Sequence, residues 1–374
     1  MDTAIAQEPM LADVSENNIA LSQTSSLLSD GDLDRIITGS RPKSTDRSTK
    51  WGLNKFEEWI RKRGMSCDLH TVPAIELNGV LRKFYGEVRS IKKQPLTPSA
   101  MTGIRAALQR AITSPPYNRN INIIGDKEFT LANKMFLAKC KLYVQSGNKK
   151  PQHKPSIGPG DMQKLSAYFG NWKQHPDTLL EATWFMLCFH FGRRGREGWT
   201  KMKKDTFQVS TDDEGLKFVS MIVTESTKNH QGGFKQCDTD YSDCRMYGQG
   251  VEIYEFYLTK LHHRCERLFQ TSLKVFTATD PIWFKNEPMG KTPLSSIMQT
   301  ISKKSGLSVI YTCHSVRAST ITALFQAGVS PQGIMAITKH KNESSLKHYI
   351  SDMSSEQKRH CSATLSNAMA IQVV

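Results

Sequence analysis

The stretch from His314 to Tyr349 constrains the fold most, because it encodes short helices separated by strong stop signals. Apolar residues recur there at helical spacing and predict one apolar stripe: Ala318, Ile321, Leu324 and Phe325. Gly328 then supplies a helix stop, and Ser330-Pro331 fits an N-cap followed by proline at the first helical position. The sequence therefore predicts a compact, all-helical piece.

This piece carries two imidazoles, one guanidinium and one phenol: His314, His340, Arg317 and Tyr349. An arginine can hold a phosphate with two donors, and a histidine can donate or carry a proton near neutral pH. A tyrosine that has lost its proton can attack phosphorus as a covalent nucleophile. Each residue alone is more often structural, so the prediction depends on the whole set.

The spacing of the set resembles the C-terminal box of the tyrosine recombinases. That box is a His-x-x-Arg pair, a glycine fourteen residues after the His, a second His at twenty-six and a Tyr nine further on. The matching positions are His314, Arg317, Gly328, His340 and Tyr349. The resemblance implies an enzyme that cleaves and rejoins DNA through a 3′-phosphotyrosyl intermediate, without metal, ATP or another cofactor.

The same family has an arginine in an Arg-x-x-Glu turn, with an aspartate eleven residues after the arginine. Arg194 fits this pattern, because Glu197 and Asp205 follow at those offsets. Arg193 and Arg196 are close rivals for the same role.

The family also has a lysine in a β-hairpin turn. Residues Leu216 to Thr224 alternate and are rich in β-branched side chains, which predicts a strand. Lys228 follows this strand, and Gly232-Gly233 can turn the chain. Lys228 is therefore the predicted lysine of the site.

The resemblance implies this catalytic set: Arg194, Lys228, His314, Arg317, His340 and Tyr349 as nucleophile. The two guanidiniums would hold the non-bridging oxygens of the phosphate, and His340 would add a donor. His314 is a candidate to accept the tyrosine proton, and Lys228 to protonate the departing 5′ oxygen. The sequence leaves the division of proton transfer between these two open.

With 374 residues, 38% of them hydrophobic, the chain is long enough for two domains with separate cores. The predicted parts are a mostly disordered tail (1–43), a helical N-terminal core-binding domain that contacts DNA (44–146), a basic linker (147–160) and the catalytic domain (161–374). Short amphipathic pieces of the tail, such as 26–37, are expected to order transiently or to dock. In the N-terminal domain, helices are expected after Ser44, Pro73 and Ser99 and around Leu131, and the first of them should bury Trp51 and Phe56. In the catalytic domain, helices are expected at 161–168, 178–191, 251–268 and 294–305. Strands are expected there at 206–210 and 216–224, and an irregular apolar segment at 275–284. The predicted fold is mainly α with a small antiparallel β-sheet, in a two-domain clamp.

The formal charge of +15 indicates a polyanionic partner, and nucleic acid is the first candidate. The predicted contacts to double-stranded DNA are Lys50, Arg61, Lys62, Arg63, Arg105, Arg110, Lys149, Lys150, Arg193 and Arg196. The resemblance also implies a homo-oligomer on DNA. The sequence contains no run of eighteen apolar residues, so we expect no membrane span. The start of the chain lacks the layout of a secretory signal.

Eight scattered cysteines are typical of free thiols in a reducing compartment. One group of cysteines and histidines is a candidate zinc site: Cys237, Cys244, His262, His263 and Cys265. Their spacing fits no familiar zinc finger, so we predict no metal.

Within the tyrosine recombinases, three strings resemble the Crypton group of eukaryotic mobile elements and the host genes derived from them: Arg193–Trp199, Thr49–Trp59 and Leu81–Val88. This likeness implies a nuclear protein. Two other functions compete, namely a host-adopted DNA-binding or chromatin protein and a type IB topoisomerase. The complete catalytic set favours an enzyme over the first, and His314 stands where topoisomerases commonly have another residue.

Overall fold

The computed structural model describes residues 27–147, 154–195, 198–222, 244–346, 358–359 and 362–363. The chain divides into two compact units, Met1–Pro151 and Gln152–Val374, and this division falls within the predicted linker. The described residues are mainly helical with two small antiparallel sheets, which confirms the predicted fold class.

The first unit consists of helices: α1 (Asp30–Gly39), α2 (Lys43–Lys62), α3 (Ala74–Glu87), α4 (Pro98–Ile112) and α5 (Thr130–Gln145). The start of α4 shows how the sequence sets a helix boundary. Thr97 is its N-cap and accepts a hydrogen bond from the amide of Ala100 at 3.1 Å, with Pro98 at the first helical position. The buried core of this unit includes Phe56, Leu81, Phe84, Leu108 and Phe136.

Helix α1 overlaps the amphipathic piece at 26–37 that was expected to order within the tail. One prediction for this unit was wrong. Trp51 was expected in the core, yet 42% of it is exposed. The reason is its neighbour Gly52, which faces α4 so closely that a Cβ there would lie 2.4 Å from the Cβ of Ala107. That close approach turns Trp51 away from the core.

The second unit contains six helices in its described part: α6 (Pro159–Phe169), α7 (Pro176–His190), α8 (Gln249–Lys260), α9 (Lys291–Lys304), α10 (Cys313–Gln326) and α11 (Pro331–Thr338). Its strands are β1 (Phe207–Thr211), β2 (Lys217–Met221), β3 (Arg245–Tyr247), β4 (Gln270–Ser272) and β5 (Phe284–Pro288). Strands β1, β2 and β3 form one antiparallel sheet in that order, and β4 pairs with β5. Val219 lies at the centre of the first sheet, opposite Val209 and Met246.

Helix α7 runs through the core of this unit and contacts α8, α9 and α10. It is apolar on nearly every face, as expected for a fully surrounded helix. Its buried residues include Leu179, Leu180, Trp184, Leu187 and Cys188. This helix ends directly before the turn at 191–195 that carries Arg193 and Arg194 (the arginine turn), so the core of the unit fixes where that turn begins.

The segment after α8 differs from the prediction. Helix α8 ends at Lys260 instead of continuing to residue 268, because Leu261 is extended with a ψ of 144°. Strands β4 and β5 then form a hairpin, and β5 begins where an irregular apolar segment was expected to end. Hydrogen bonds from Trp283 N to Lys260 O (2.9 Å) and from Met289 N to Phe269 O (2.8 Å) secure this part of the chain.

Among the residues that the structure describes, no helix combines the length and the apolar character that a membrane span needs.

Candidate active site

The arginine turn begins where α7 ends, and it sends two adjacent arginines in different directions. Arg193 is only 2% exposed. Its guanidinium lies over the Trp199 ring, 5.3 Å from the centroid, and its Nη1 lies 3.0 Å from the sulfur of Met221. This burial contradicts the predicted DNA contact by Arg193 and makes it a core residue.

Arg194 is half-buried, and its backbone carbonyl accepts a hydrogen bond from Trp199 Nε1 at 3.1 Å. Its positive charge contributes to a lowered pKa of His340, so the two side chains lie within electrostatic reach of each other. Between the two described arginines of the turn, the structure therefore places Arg194 on the side of His340. Arg196 lies outside the described residues.

Two glycines that the sequence analysis did not select hold this turn in place. Gly192 has a φ of +52°, and a Cβ on it would lie 2.8 Å from Thr338 Cγ2. A Cβ on Gly195 would lie 2.0 Å from the Cβ of Cys313. The backbone of the turn therefore packs directly against the end of α11 and the start of α10, where a side chain would not fit. The Gly-x-x-Gly spacing around the arginines was the sequence signal that could have indicated this close packing.

Helix α10 contributes the second arginine. His314 lies exposed in its first turn, and Arg317 follows one turn later with 3% of its surface exposed. Arg317 Nη1 donates to the carbonyl of Gly192, and Nη2 donates to the carbonyl of Thr338 at 2.5 Å. One guanidinium thus joins the arginine turn, α10 and α11.

Helix α11 places the second histidine beside Arg317. Ser330 caps its start by accepting from the amide of Gly333 at 3.1 Å, as the sequence predicted. The helix ends because Lys339 adopts the left-handed conformation, with a φ of 55°. This reversal turns His340 back towards Arg317, whose Nη2 lies 3.1 Å from each ring nitrogen.

The hydrogen bonds around His340 define its proton position. The Thr338 hydroxyl donates to the carbonyl of Ile334 at 2.6 Å, so at 2.7 Å it accepts from His340 Nδ1. Nε2 is then the acceptor for Arg317. Burial, followed by the charges of Arg317 and Arg194, lowers the pKa of His340 to about 4. The imidazole is therefore neutral at physiological pH.

These three side chains combine two permanent positive charges with one neutral hydrogen-bonding ring. Arg194, Arg317 and His340 come from the end of α7, from α10 and from the end of α11. Such a group can hold an anion, and the two guanidiniums suit the oxygens of a phosphate. Sequence reasoning found all three, and the structure brings them together.

After His340, the continuously described part of the chain ends at Leu346, which belongs to a small apolar cluster with residues of α10 and α11. Ile321, Ile334 and Leu346 are each 0% exposed and pack together. Leu346 is thereby fixed against α10 and α11, three residues before Tyr349. Tyr349 and Lys228 lie outside the described residues, so their predicted roles stay predictions.

The predicted DNA contacts of the first unit fall into two groups. Lys50, Arg61, Lys62 and Arg63 are exposed on α2 or directly after it, where a polyanion can reach them. Lys62 and Arg63 also form surface ion pairs with glutamates. Exposed pairs of this kind contribute little to stability and can exchange partners. Lys149 and Lys150 lie outside the described residues.

The other two, Arg105 and Arg110, are half-buried and held by contacts within the unit. Arg105 donates to Asn133 Oδ1 at 3.1 Å and lies 3.9 Å from the centroid of the Phe136 ring. Arg110 Nε donates to Thr49 Oγ1 at 2.9 Å. These contacts use only some of the five N–H donors of each guanidinium, so the predicted DNA contacts of Arg105 and Arg110 stay predictions.

The described residues contain no group of three or more His, Cys, Asp or Glu side chains placed to hold a metal ion. Of the candidate zinc ligands, Cys237 lies outside the described residues. Cys244 and Cys265 are buried. The His262 and His263 rings stack on each other, with centroids 4.8 Å apart.

Residues 252–356 match the model of the phage integrase family. This match includes the whole box from His314 to Tyr349 but begins after Arg194 and Lys228. It identifies a phage-integrase-type segment in the second unit.

Two curated proteins are similar over 287 residues, at 17% identity and 73% of this chain: the uncharacterized protein KIAA1958 of Homo sapiens and its homologue in Mus musculus. The matched region spans 39% of the length of these relatives. Among solved structures, the Tn1549 transposon integrase in complex with transposon right end DNA is 14% identical, covers 89% of this chain and 96% of that chain, and gives a TM-score of 0.47. The XerA recombinase is 13% identical, and the match covers 87% of this chain and 99% of that chain with a TM-score of 0.32.

Proposed function

We propose that this protein is a DNA strand-cleaving and rejoining enzyme of the tyrosine recombinase type. One observation carries the proposal: Arg317 is bonded to both the arginine turn and α11, with His340 3.1 Å from its Nη2. Arg194 lies within electrostatic reach of the same imidazole. The family match over residues 252–356 supports it independently.

The proposed substrate is a phosphodiester of duplex DNA. Its non-bridging oxygens gain negative charge as an oxygen attacks phosphorus, so fixed positive charge lowers the barrier. Arg194 and Arg317 supply that charge. The neutral His340 ring donates to the phosphate in its other tautomer, in which Nε2 carries the proton and Nδ1, 2.7 Å from the Thr338 hydroxyl, accepts from that hydroxyl.

Tyr349 is the proposed nucleophile. It follows the buried Leu346 by three residues, so their Cα atoms are separated by at most about 11 Å. In the proposed step, the tyrosine oxygen forms a bond to phosphorus and the bond from phosphorus to the 5′ oxygen breaks. The products are a 3′-phosphotyrosyl enzyme and a 5′-hydroxyl end, and attack by a 5′-hydroxyl reverses the step without ATP.

Two protons move in this step. His314, exposed in the first turn of α10, is the proposed acceptor of the tyrosine proton. Lys228 is the proposed donor to the departing 5′ oxygen. His314 lies one helical turn before Arg317, and residues at this spacing share a helix face, so it can face the same phosphate.

We also propose a biological role, a cellular location and an assembly state for this enzyme. The strings at Arg193–Trp199, Thr49–Trp59 and Leu81–Val88 support a Crypton-like integration enzyme that acts on nuclear DNA. The net charge of +15 supports binding to the DNA backbone, and strand exchange between two duplexes requires a homo-oligomer. Fluorescence imaging of the tagged full chain tests the nuclear location, and sedimentation with duplex DNA tests the assembly.

Covalent capture tests the proposed chemistry. The full chain is incubated with nicked duplexes of randomised sequence, in which a short cleaved fragment diffuses away and prevents rejoining. The protein is then denatured and recovered, and the DNA linked to it is sequenced. We expect linked DNA with a shared sequence, lost in Tyr349→Phe and kept in the control Tyr247→Phe, whose ring is 38% exposed on β3.

The other outcomes separate the competing functions. Tight DNA binding without linked DNA from any duplex indicates the host-adopted binding protein and rejects the enzyme. Linked DNA without sequence preference, together with relaxation of supercoiled plasmid, indicates a type IB topoisomerase.

A further inference from the structure

An aspartate at the start of α6 is bonded to the segment that leads into α10. Asp161 is only 5% exposed. Its Oδ1 accepts from the amide of Ser308 at 3.0 Å, and its Oδ2 accepts from the hydroxyls of Ser308 at 2.5 Å and Tyr311 at 3.0 Å. Three donors from one short segment thus converge on a single carboxylate.

The same turn of α6 makes a second contact with this segment. Lys164 Nζ donates to the carbonyl of Gly306 at 3.1 Å and lies 3.6 Å from Asp161 Oδ1. Gly306 has a φ of +61°, so the chain turns sharply there. The segment from Gly306 to Tyr311 is therefore fixed to α6 at three of its residues.

Residues just before α6 also contact α10 itself. The amide of Ile157 donates to the Ser319 hydroxyl at 2.7 Å in a buried position. That hydroxyl donates in turn to the carbonyl of Ser315 at 2.8 Å. The end of the predicted linker is consequently bonded to the body of α10, and the start of α6 to the segment preceding α10.

Few residues separate these hydrogen bonds from α10, the helix that carries His314 and Arg317. Tyr311 is followed by Thr312, the N-cap of α10, and His314 is the second residue of that helix. Tyr311 is fixed from the other side as well, because its amide donates to Ser302 Oγ at 3.1 Å. The position of the first turn of α10 therefore depends on where Asp161 holds Tyr311.

We propose that Asp161 is a positioning residue of the active site. Through Ser308 and Tyr311, its carboxylate sets the first turn of α10, and with it His314 and Arg317, against the reacting phosphate. This inference rests on the proposed function. Catalysis by positioned groups is sensitive to displacements of about 1 Å, which cost about a hundredfold in rate.

The charge state of Asp161 fits this role. The Ser308 hydroxyl, the Ser308 amide and the Tyr311 hydroxyl together hold the pKa of Asp161 down at about 2. The group is a carboxylate at any pH near neutrality. It can accept all three hydrogen bonds at once, which a neutral amide cannot.

The test is Asp161→Asn in the full chain, with Asp280→Asn as matched control. Asp280 also accepts from the amide and the hydroxyl of one residue, Thr277, at 2.7 Å each, but in a loop between β4 and β5. Single-turnover cleavage is measured on a duplex recovered in the capture experiment. We expect Asp161→Asn to lower the rate constant by about tenfold to a hundredfold, with the fraction of enzyme that reacts and the DNA affinity unchanged.

A loss of reacting fraction at an unchanged rate constant shows a merely structural role and overturns the proposal. So does an equal change in Asp280→Asn. Tyr311→Phe removes one of the three donors at nearly the same volume, so its rate should fall between wild type and Asp161→Asn.

Hydrogen–deuterium exchange separates this inference from the proposed chemistry. We expect faster exchange of the amides at 308–317 in Asp161→Asn and unchanged exchange there in Asp280→Asn. Unchanged exchange in both variants overturns the positioning role, whatever the wild type does to DNA. If the wild type forms no linked DNA while the exchange at 308–317 still rises, Asp161 positions α10 and the proposed function alone fails.

Discussion

The guanidinium of Arg317 donates a hydrogen bond to the carbonyl of Gly192, 125 positions earlier in the chain. This bond joins α10 to the turn that carries Arg194, and a second bond from the same guanidinium reaches Thr338 at the end of α11. A single side chain thus holds together the elements of the proposed phosphate site and belongs to that site.

Gly192→Ala should destabilise the second unit. The new Cβ would lie 2.8 Å from Thr338 Cγ2 at a φ of +52°, so the substitution adds a close contact to backbone strain. We expect a loss of about 2–4 kcal/mol in the free energy of unfolding, measured by urea denaturation. Gly215→Ala is the control, because it also has a positive φ but meets no atom within 4 Å. An equal loss in both would attribute the whole effect to strain and contradict the close packing.

The neighbouring arginines should respond differently to replacement by lysine. Arg194→Lys should lower the cleavage rate by about a hundredfold or more while the melting temperature stays the same, because lysine cannot bind a phosphate with two parallel donors. Arg193→Lys should lower the melting temperature, because it removes a planar cation from the face of Trp199. The reverse pattern would show that Arg193 is the phosphate-binding residue.

His340 should remain neutral well below the ordinary range of histidine. Its pKa in the folded protein is about 4, against 6.5 for the exposed group, because burial and two guanidiniums disfavour the charged ring. The folded state therefore binds fewer protons than the unfolded state between these values, and this contribution to stability is complete above pH 6.5 and lost as the pH falls towards 4.

Nitrogen chemical shifts of the His340 ring, followed during an acid titration, measure this pKa directly. Arg194→Gln should raise it, since one of the two opposing charges is removed. A His340 that titrates near 6.5 in the wild type would contradict the described environment.

DNA affinity should fall steeply with added salt, because the net charge of +15 implies the release of counterions from DNA. Replacing the exposed Lys50 and Arg61 by glutamine should reduce the slope of the log–log plot by about one for each DNA phosphate that the variant no longer neutralises. Titrations of a labelled duplex at several salt concentrations give this slope. A flat response in the wild type would argue against backbone binding.

Much of the second unit follows from local signals in the sequence. Ser330-Pro331 and the stop at Gly328 define the start of α11, and that helix lies where they predict it. Apolar periodicity likewise predicts α7 and α9 within a few residues. Such signals are local, so one sequence is enough to find them.

The missed features depend on contacts between distant segments. Gly192 and Gly195 have no periodicity of their own, and only the approach of Thr338 and Cys313 explains them. The pairing of β4 with β5 joins short strands across a long loop, and neither strand alternates clearly. The burial of Arg193 beside the half-buried Arg194 follows from the direction of the turn, which spacing alone does not define.

The most direct test of the central claim is the identity of the residue that becomes joined to DNA. Linked protein from the capture experiment is treated with nuclease and then trypsin, which releases Tyr349 in the peptide 348–358. We predict that mass spectrometry finds a nucleotide on Tyr349, and that Arg317→Ala abolishes it. Linkage through any of the other tyrosines, or no linkage with duplexes that the protein binds, would contradict the proposed site.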